Sequence, residues 1–148
     1  MTKRKKSYRL LLVEDNPADV RLVQEVIEEG EISVDLSVAM DGEEAIRLLE
    51  KAKNSTPQVL PDIMLLDLNL PKKNGKEVLH FVKNDFILKR IPIIVLTTSS
   101  SNEDILDMYD LHANCYINKP VDFDEFFNVI KMVEEFWLNV VILPNSIR

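Results

Sequence analysis

The chain has 148 residues, a length that suits one domain on a scale of about 100–200 residues each. Eighteen Lys and Arg against 25 Asp and Glu leave a net charge of −7, which repels nucleic acid and anionic membrane. With 46% hydrophobic and 29% charged residues, the composition excludes a disordered chain and fits a soluble globular one.

In chain order, residues 1–7 read as a solvated basic tail carrying Lys3-Arg4-Lys5-Lys6. A first β-branched run, Leu10–Val13, is cut off by Glu14 and Asp15. It falls short of the ~7–15 apolar residues of a secretory signal. Asn16 can cap a helix over Ala18–Glu29, with Pro17 at its first position. Val34–Ala39 is a second strand. Asp41, followed three residues later by Glu44, forms a capping box for a helix over Glu43–Ala52. "KNSTPQ" (Lys53 to Gln58) is a polar loop. Ile63–Leu68 and Ile91–Leu96 are continuous apolar runs, as expected of strands covered on both faces. Between them Asn74-Gly75 opens a helix over Lys76–Lys83. A helix over Glu103–Leu111, a strand over Cys115–Asn118 and a helix over Phe123–Trp137, capped by Asp122, complete the series. Five strands alternating with five helices imply parallel pairing with right-handed crossovers, a doubly wound α/β fold.

The single cysteine, Cys115, cannot close an intrachain disulfide, which fits a reducing compartment. No stretch approaches the ~18 apolar residues of a membrane span. The expectation is a cytoplasmic protein that binds neither nucleic acid nor membrane. One domain spans residues 8–138, and the remaining 139–148 form a tail too short for an output module.

The polar residues that matter fall where apolar strands end: Glu14 and Asp15 after the first, Asp67 after the third, Thr97 and Thr98 after the fourth, and Lys119 after the fifth. In open parallel sheets ligands bind outside the carboxyl ends of the strands, where the winding reverses. With the strand order 2-1-3-4-5 usual for this fold class, Glu14, Asp15 and Asp67 meet there. Carboxylates about 4 Å apart repel by roughly 4 kcal/mol per pair at an effective dielectric near 20. A cation relieves this, and an all-oxygen site with few protein ligands suits Mg²⁺, with the Asn69 carbonyl as a further oxygen. Neither His80 nor His112 stands at these ends, which argues against zinc. A carboxylate beside Mg²⁺ and Lys can attack phosphorus. Asp67 is therefore expected to carry phosphate, with Lys119 and the Thr97 hydroxyl contacting the phosphoryl oxygens.

The segments "LLLVEDNPADVRLV", "VAMDGEEAI", "PDIMLLDLNLPKKNGKEVL", "IPIIVLTTSS" and "CYINKPVDFDEFFNVI" resemble the receiver domain of two-component response regulators over about Tyr8 to Trp137. Among these the chain looks most like the single-domain regulators that work with bacterial phytochromes and similar sensor kinases. The resemblance implies a flavodoxin-like fold in which Asp67 accepts phosphate from a kinase phosphohistidine. Glu14 and Asp15 would hold Mg²⁺, one through water, and the Lys119–Pro120 bond would be cis. It also implies that Thr97 moves toward the phosphoryl group while Tyr116 rotates inward behind it. The surface of the fourth helix, fifth strand and fifth helix then changes for a partner to read. Such a protein is no enzyme beyond catalysing its own phosphorylation and dephosphorylation.

The chain departs from that pattern in its longer "KNSTPQ" loop, which lies away from the site, and in Thr98, bulkier than the residue usual there. A dehalogenase-type phosphatase is disfavoured because Asn69 stands where its general acid belongs. A nucleotide-binding fold lacks its glycine-rich first turn. A binding-only module would not need every residue of the constellation. Phe123, Phe126, Ile130, Val133 and Trp137 share a helical face and are expected in the core. The apolar tail, Val140 to Leu143, either makes a homodimer contact with the fifth helix or folds back on its own domain.

Overall fold

The computed structural model describes residues 7–146. Five strands, β1 (Ser7–Val13), β2 (Ser33–Ala39), β3 (Ile63–Leu66), β4 (Ile93–Thr97) and β5 (Cys115–Asn118), alternate with five helices. These are α1 (Pro17–Glu29), α2 (Gly42–Asn54), α3 (Gly75–Lys83), α4 (Asn102–Asp110) and α5 (Phe123–Glu135). The strands form one sheet in the order β2-β1-β3-β4-β5, and every neighbouring pair is parallel. The basic cluster Lys3-Arg4-Lys5-Lys6 lies outside the described residues.

Alternation along the strands builds two cores. Leu11, Val13, Met64, Leu66, Ile93 and Val95 point to one face and pack with Leu49 of α2, Leu79 of α3 and Met108 of α4. Leu10, Leu12, Ile63, Leu65, Ile94 and Leu96 point to the other, against Val23 of α1 and Ile130 of α5. All residues of β3 and β4 are buried, which is why their sequences read as unbroken apolar runs.

Each expected cap is made. Asn16 Oδ1 accepts from the Ala18 N–H at 2.9 Å and Asp41 Oδ1 from Glu44 N–H at 2.7 Å. Asn74 Oδ1 accepts from Glu77 N–H at 2.9 Å and Asp122 Oδ2 from Glu125 N–H at 3.1 Å. Ser101 supplies a fifth cap, accepting from the Asp104 N–H at 3.1 Å. The fourth strand begins at Ile93 rather than Ile91. The Ile91 N–H closes the 3₁₀ turn Leu88–Arg90 on the Leu88 carbonyl at 3.0 Å, and Pro92 has no N–H to give. The polar "KNSTPQ" loop is held by Lys53, whose ammonium pairs with Asp85 at 2.7 Å, and by Gln58, whose amide donates to the Lys53 carbonyl at 2.9 Å.

Two expectations about the C-terminal third need correction. Phe123 is 58% exposed rather than in the core. It occupies the first helical position, and the buried stripe begins only at Phe126, continuing through Ile130 and Val133. The fifth helix gives way at Phe136 to a π-helical turn over Phe136–Val140. The tail beyond it folds back on its own domain. Leu138 and Leu143 are buried in the α1–α5 core, and the Asn145 amide donates to the Leu60 carbonyl at 3.1 Å and to Asp62 Oδ1 at 3.0 Å.

Candidate functional site

The strands end together at one edge, and the local backbone aims their terminal side chains inward. Beyond β1 the Glu14 N–H continues the ladder to the Ala39 carbonyl, and beyond β3 the Asp67 N–H bonds the Val13 carbonyl, both at 3.0 Å. Glu14 and Asp67 are thus locked to the same strand end. Asp15 is exposed beside them. One carboxylate oxygen each from Glu14, Asp15 and Asp67 lies within 4.8 Å of the others.

Lys119 closes the group. Its N–H donates to the Thr97 carbonyl at 2.8 Å, which ties the end of β5 to the end of β4. Its side chain is 6% exposed, and the ammonium pairs with Glu14, with Asp19 at 2.9 Å and with Asp67 at 3.3 Å. Burial pushes the Glu14 carboxyl up to about 7, against the lowering effect of the Lys119 hydrogen bond, and the nearby Asp67 charge adds to the rise. Burial would lower Lys119, but its bonds to Glu14 and Asp19 outweigh that and hold it above the usual lysine range. Thr97 is fully buried, and its hydroxyl oxygen accepts from the Ser99 N–H at 3.4 Å.

Gly75 makes this edge possible. A Cβ there would lie 2.4 Å from the Asp67 carbonyl oxygen and 2.7 Å from Leu68 Cα. The Gly75 N–H meanwhile donates to the Leu68 carbonyl at 2.8 Å. Only a bare backbone lets α3 start this close to the phospho-acceptor candidate.

Residues 10–131 match the response regulator receiver domain. The chain belongs to that family. Among proteins similar to it, response regulator Rcp1 of Synechocystis sp. is 44% identical over 91% of this chain and 92% of its own. The crystal structure of the phosphorylated cyanobacterial phytochrome response regulator RcpA superposes with a TM-score of 0.88 at 45% identity, covering 94% of this chain and 99% of that one. The Mn(2+)-bound form of Rcp1 superposes with a TM-score of 0.86 at 44% identity, covering 93% and 99%. The fold is therefore the five-stranded, flavodoxin-like receiver fold.

The acids of this receiver suit a divalent ion on their own chemistry. Three carboxylate oxygens converge with no imidazole or thiolate among them, a hard all-oxygen donor set of the kind Mg²⁺ or Mn²⁺ takes. Asn69 sits exposed two residues past Asp67. Asp19 is the participant that the strand-end reading overlooks. It lies in the first turn of α1, four residues after Asp15, so the helix swings it back over the end of β1 onto Lys119.

A second network runs behind the site. The carbonyl of Ser99 accepts from the Tyr116 hydroxyl at 2.8 Å and from the Asn118 amide at 3.1 Å. The Ser99 hydroxyl donates to Asp104 at 2.5 Å. Lys76 of α3 pairs with Asp104 at 3.0 Å and Asp107 at 2.9 Å. The loop after β4 is thereby tied to α3, α4 and β5. Thr98, at the head of that loop, is exposed. The expected cis bond at Lys119–Pro120 is not found. Among the described residues the cis peptide is Thr56–Pro57. The trans isomer is the lower in energy for an X–Pro bond, by roughly 0.5–1 kcal/mol. Lys119 reaches its acids in that form.

Proposed function

We propose that the chain is a phosphorylation-dependent signalling switch in which Asp67 takes a phosphoryl group from the phosphohistidine of a sensor histidine kinase. An Asp67 carboxylate oxygen forms the new bond to phosphorus as the nitrogen–phosphorus bond breaks, and the kinase imidazole leaves. Glu14, Asp15, Asp67 and the Asn69 carbonyl would hold Mg²⁺, which when bound neutralises the phosphoryl oxygens. Lys119, already 3.3 Å from Asp67, supplies a second positive charge, and the Thr97 hydroxyl a hydrogen bond. Positioning and charge neutralisation supply most of the catalysis in phosphoryl transfer. The chain then acts only on itself, in gaining and losing the phosphate.

The observation that carries this reading is the convergence of three carboxylates and one buried lysine at a single strand edge. Movement of Thr97 toward the phosphoryl group would pull on Ser99 and, through its carbonyl, on Tyr116. The surface of α4, β5 and α5, including Pro120, would report the change. Leu106, Tyr109, Val121 and Phe123 stand exposed there, apolar groups that a partner could cover. The setting is the cytoplasm, with neither nucleic acid nor membrane as partner. The tail, though folded back, leaves Val140 and Ile142 exposed, and with α5 it offers a homodimer contact. A monomer in sedimentation at tens of micromolar, phosphorylated or not, would remove the dimer.

Acetyl phosphate or phosphoramidate with Mg²⁺, followed by intact mass, tests the switch. The parent should gain one phosphate, and Asp67→Asn none. EDTA should abolish the gain. Undiminished labelling of Asp67→Asn would move the acceptor elsewhere.

A further inference from the structure

A lysine ammonium has three donors, and Lys119 meets three different carboxylates: Glu14, Asp19 at 2.9 Å and Asp67 at 3.3 Å. Glu14 and Asp67 also belong, with Asp15, to the acidic triad whose oxygens lie within 4.8 Å of one another. Asp19 stands outside that triad, and Asp15 does not pair with Lys119. Two acids are thus shared between the lysine and the triad. Asp15 serves the triad alone, and Asp19 the lysine alone.

The shared acids have little to spare. Glu14 Oε2 accepts from the Asn16 N–H at 3.2 Å, while Oε1 takes the lysine. Asp67 Oδ1 accepts from the Leu68 N–H at 2.7 Å, while Oδ2 takes the lysine. In each, one oxygen is committed to the backbone and the other to Lys119. A divalent ion drawn to these oxygens meets an ammonium already beside them, and two cations held close together repel. Where Lys119 spends its charge therefore decides how freely Glu14 and Asp67 serve an ion.

Asp19 offers that charge another seat. It stands in the first turn of α1, where the positive helix end favours an acid. Asn16 fixes that turn, its Oδ1 accepting from the Ala18 N–H at 2.9 Å. The Asp19 side chain is 21% exposed against 4% for Glu14 and 11% for Asp67, the most open of the lysine's three partners. A lysine carries its compact charge on a flexible stem, so the ammonium can lean toward one partner or another.

We propose that Asp19 is a positioning residue that draws Lys119 off Glu14 and Asp67 and so strengthens the triad's hold on a divalent ion. The inference rests on the reading that Glu14, Asp15 and Asp67 hold Mg²⁺. Asp19 acts through the lysine and needs no contact with the ion. Without its charge the ammonium is left to Glu14 and Asp67 alone, and it competes harder for both.

Calorimetric titration of Mg²⁺ into the full chain and its variants is the test, each variant first shown folded by its amide NMR spectrum. Asp19→Asn should bind Mg²⁺ at least fivefold more weakly than the parent. In a Lys119→Met background, and in Lys119→Gln as a second one, the same change should alter the affinity less than twofold, because no ammonium is left to redirect. Such a cycle isolates the part of the effect that passes through the lysine. Equal weakening with and without Lys119 would mean that Asp19 attracts or holds the ion directly, and would overturn the proposal. So would an Asp19→Asn chain that binds Mg²⁺ as the parent does. A parent that binds no Mg²⁺ would instead remove the metal reading itself, and this proposal with it.

Discussion

Lys119 holds three carboxylates that would otherwise repel one another, and it does so where a divalent ion would also sit. Its ammonium would compete with such an ion, and by itself it already supplies a positive charge to these acids. Lys119→Met should therefore lower the melting temperature in EDTA by several degrees, since each charge left buried and unpaired costs about 1–3 kcal/mol. Excess Mg²⁺ should recover most of the loss, and calorimetry should find Mg²⁺ bound several-fold more tightly than in the parent. A variant that melts with the parent in EDTA would deny Lys119 this pairing role. Glu134 presents another case, a buried acid that makes no ion pair among the described residues, with Lys131 acting on it only at longer range. Its pKa in the folded chain is raised by burial, so the folded state binds more protons than the unfolded one between the two values. Stability from this group is present below the unfolded carboxylate pKa and lost as pH rises through the folded one. Glu134→Gln, which cannot ionise, should melt within error of the parent at pH 4 and about 2–6 °C above it at pH 8. Scanning fluorimetry across that range checks both the sign and the window.

At the scale of elements, the start of α3 decides how well Asp67 is placed. Ala exceeds Gly in helix preference by about 1 kcal/mol, so propensity alone favours Gly75→Ala. Overpacking opposes it by about 1–3 kcal/mol, because the new Cβ would press on the Asp67 carbonyl at 2.4 Å. The clash should win. Gly75→Ala should lose net stability and accept phosphate from phosphoramidate at least tenfold more slowly, with Mg²⁺ saturating. An unchanged rate would mean that the loop yields without moving the carboxylate. Gly42 meets the same loop from α2, where a Cβ would lie 1.8 Å from the Lys73 carbonyl oxygen. Two helices therefore depend on glycine to close on one functional turn.

For the molecule as a whole, the tail completes the bottom of the sheet. Asp62 is buried. Its two oxygens accept from the Arg9 N–H at 2.7 Å and the Asn145 amide at 3.0 Å. With Leu143 in the core just before it, the tail joins β1 and β3 at the end remote from Asp67. Asn145→Ala should cost about 1–2 kcal/mol in urea unfolding and leave the rate of phosphorylation within twofold. A large change in that rate would mean that the two ends of the sheet are coupled.

What the sequence determined by itself was whatever short-range rules govern. Strands and helices alternate visibly because residues buried on both faces leave unbroken apolar runs. The caps at Asn16, Asp41, Asn74 and Asp122 act within three residues of themselves. The acids, threonine and lysine at the strand ends were legible because a parallel sheet collects its carboxyl ends at one edge. The tertiary structure alone decided that Asp19 turns back onto Lys119, that Ser99, Asp104 and Lys76 join three elements, and that Phe123 faces water. It also decided that the tail docks on Asp62. In each case the partners lie far apart in the chain or on different elements, and no local pattern records how two packed surfaces meet.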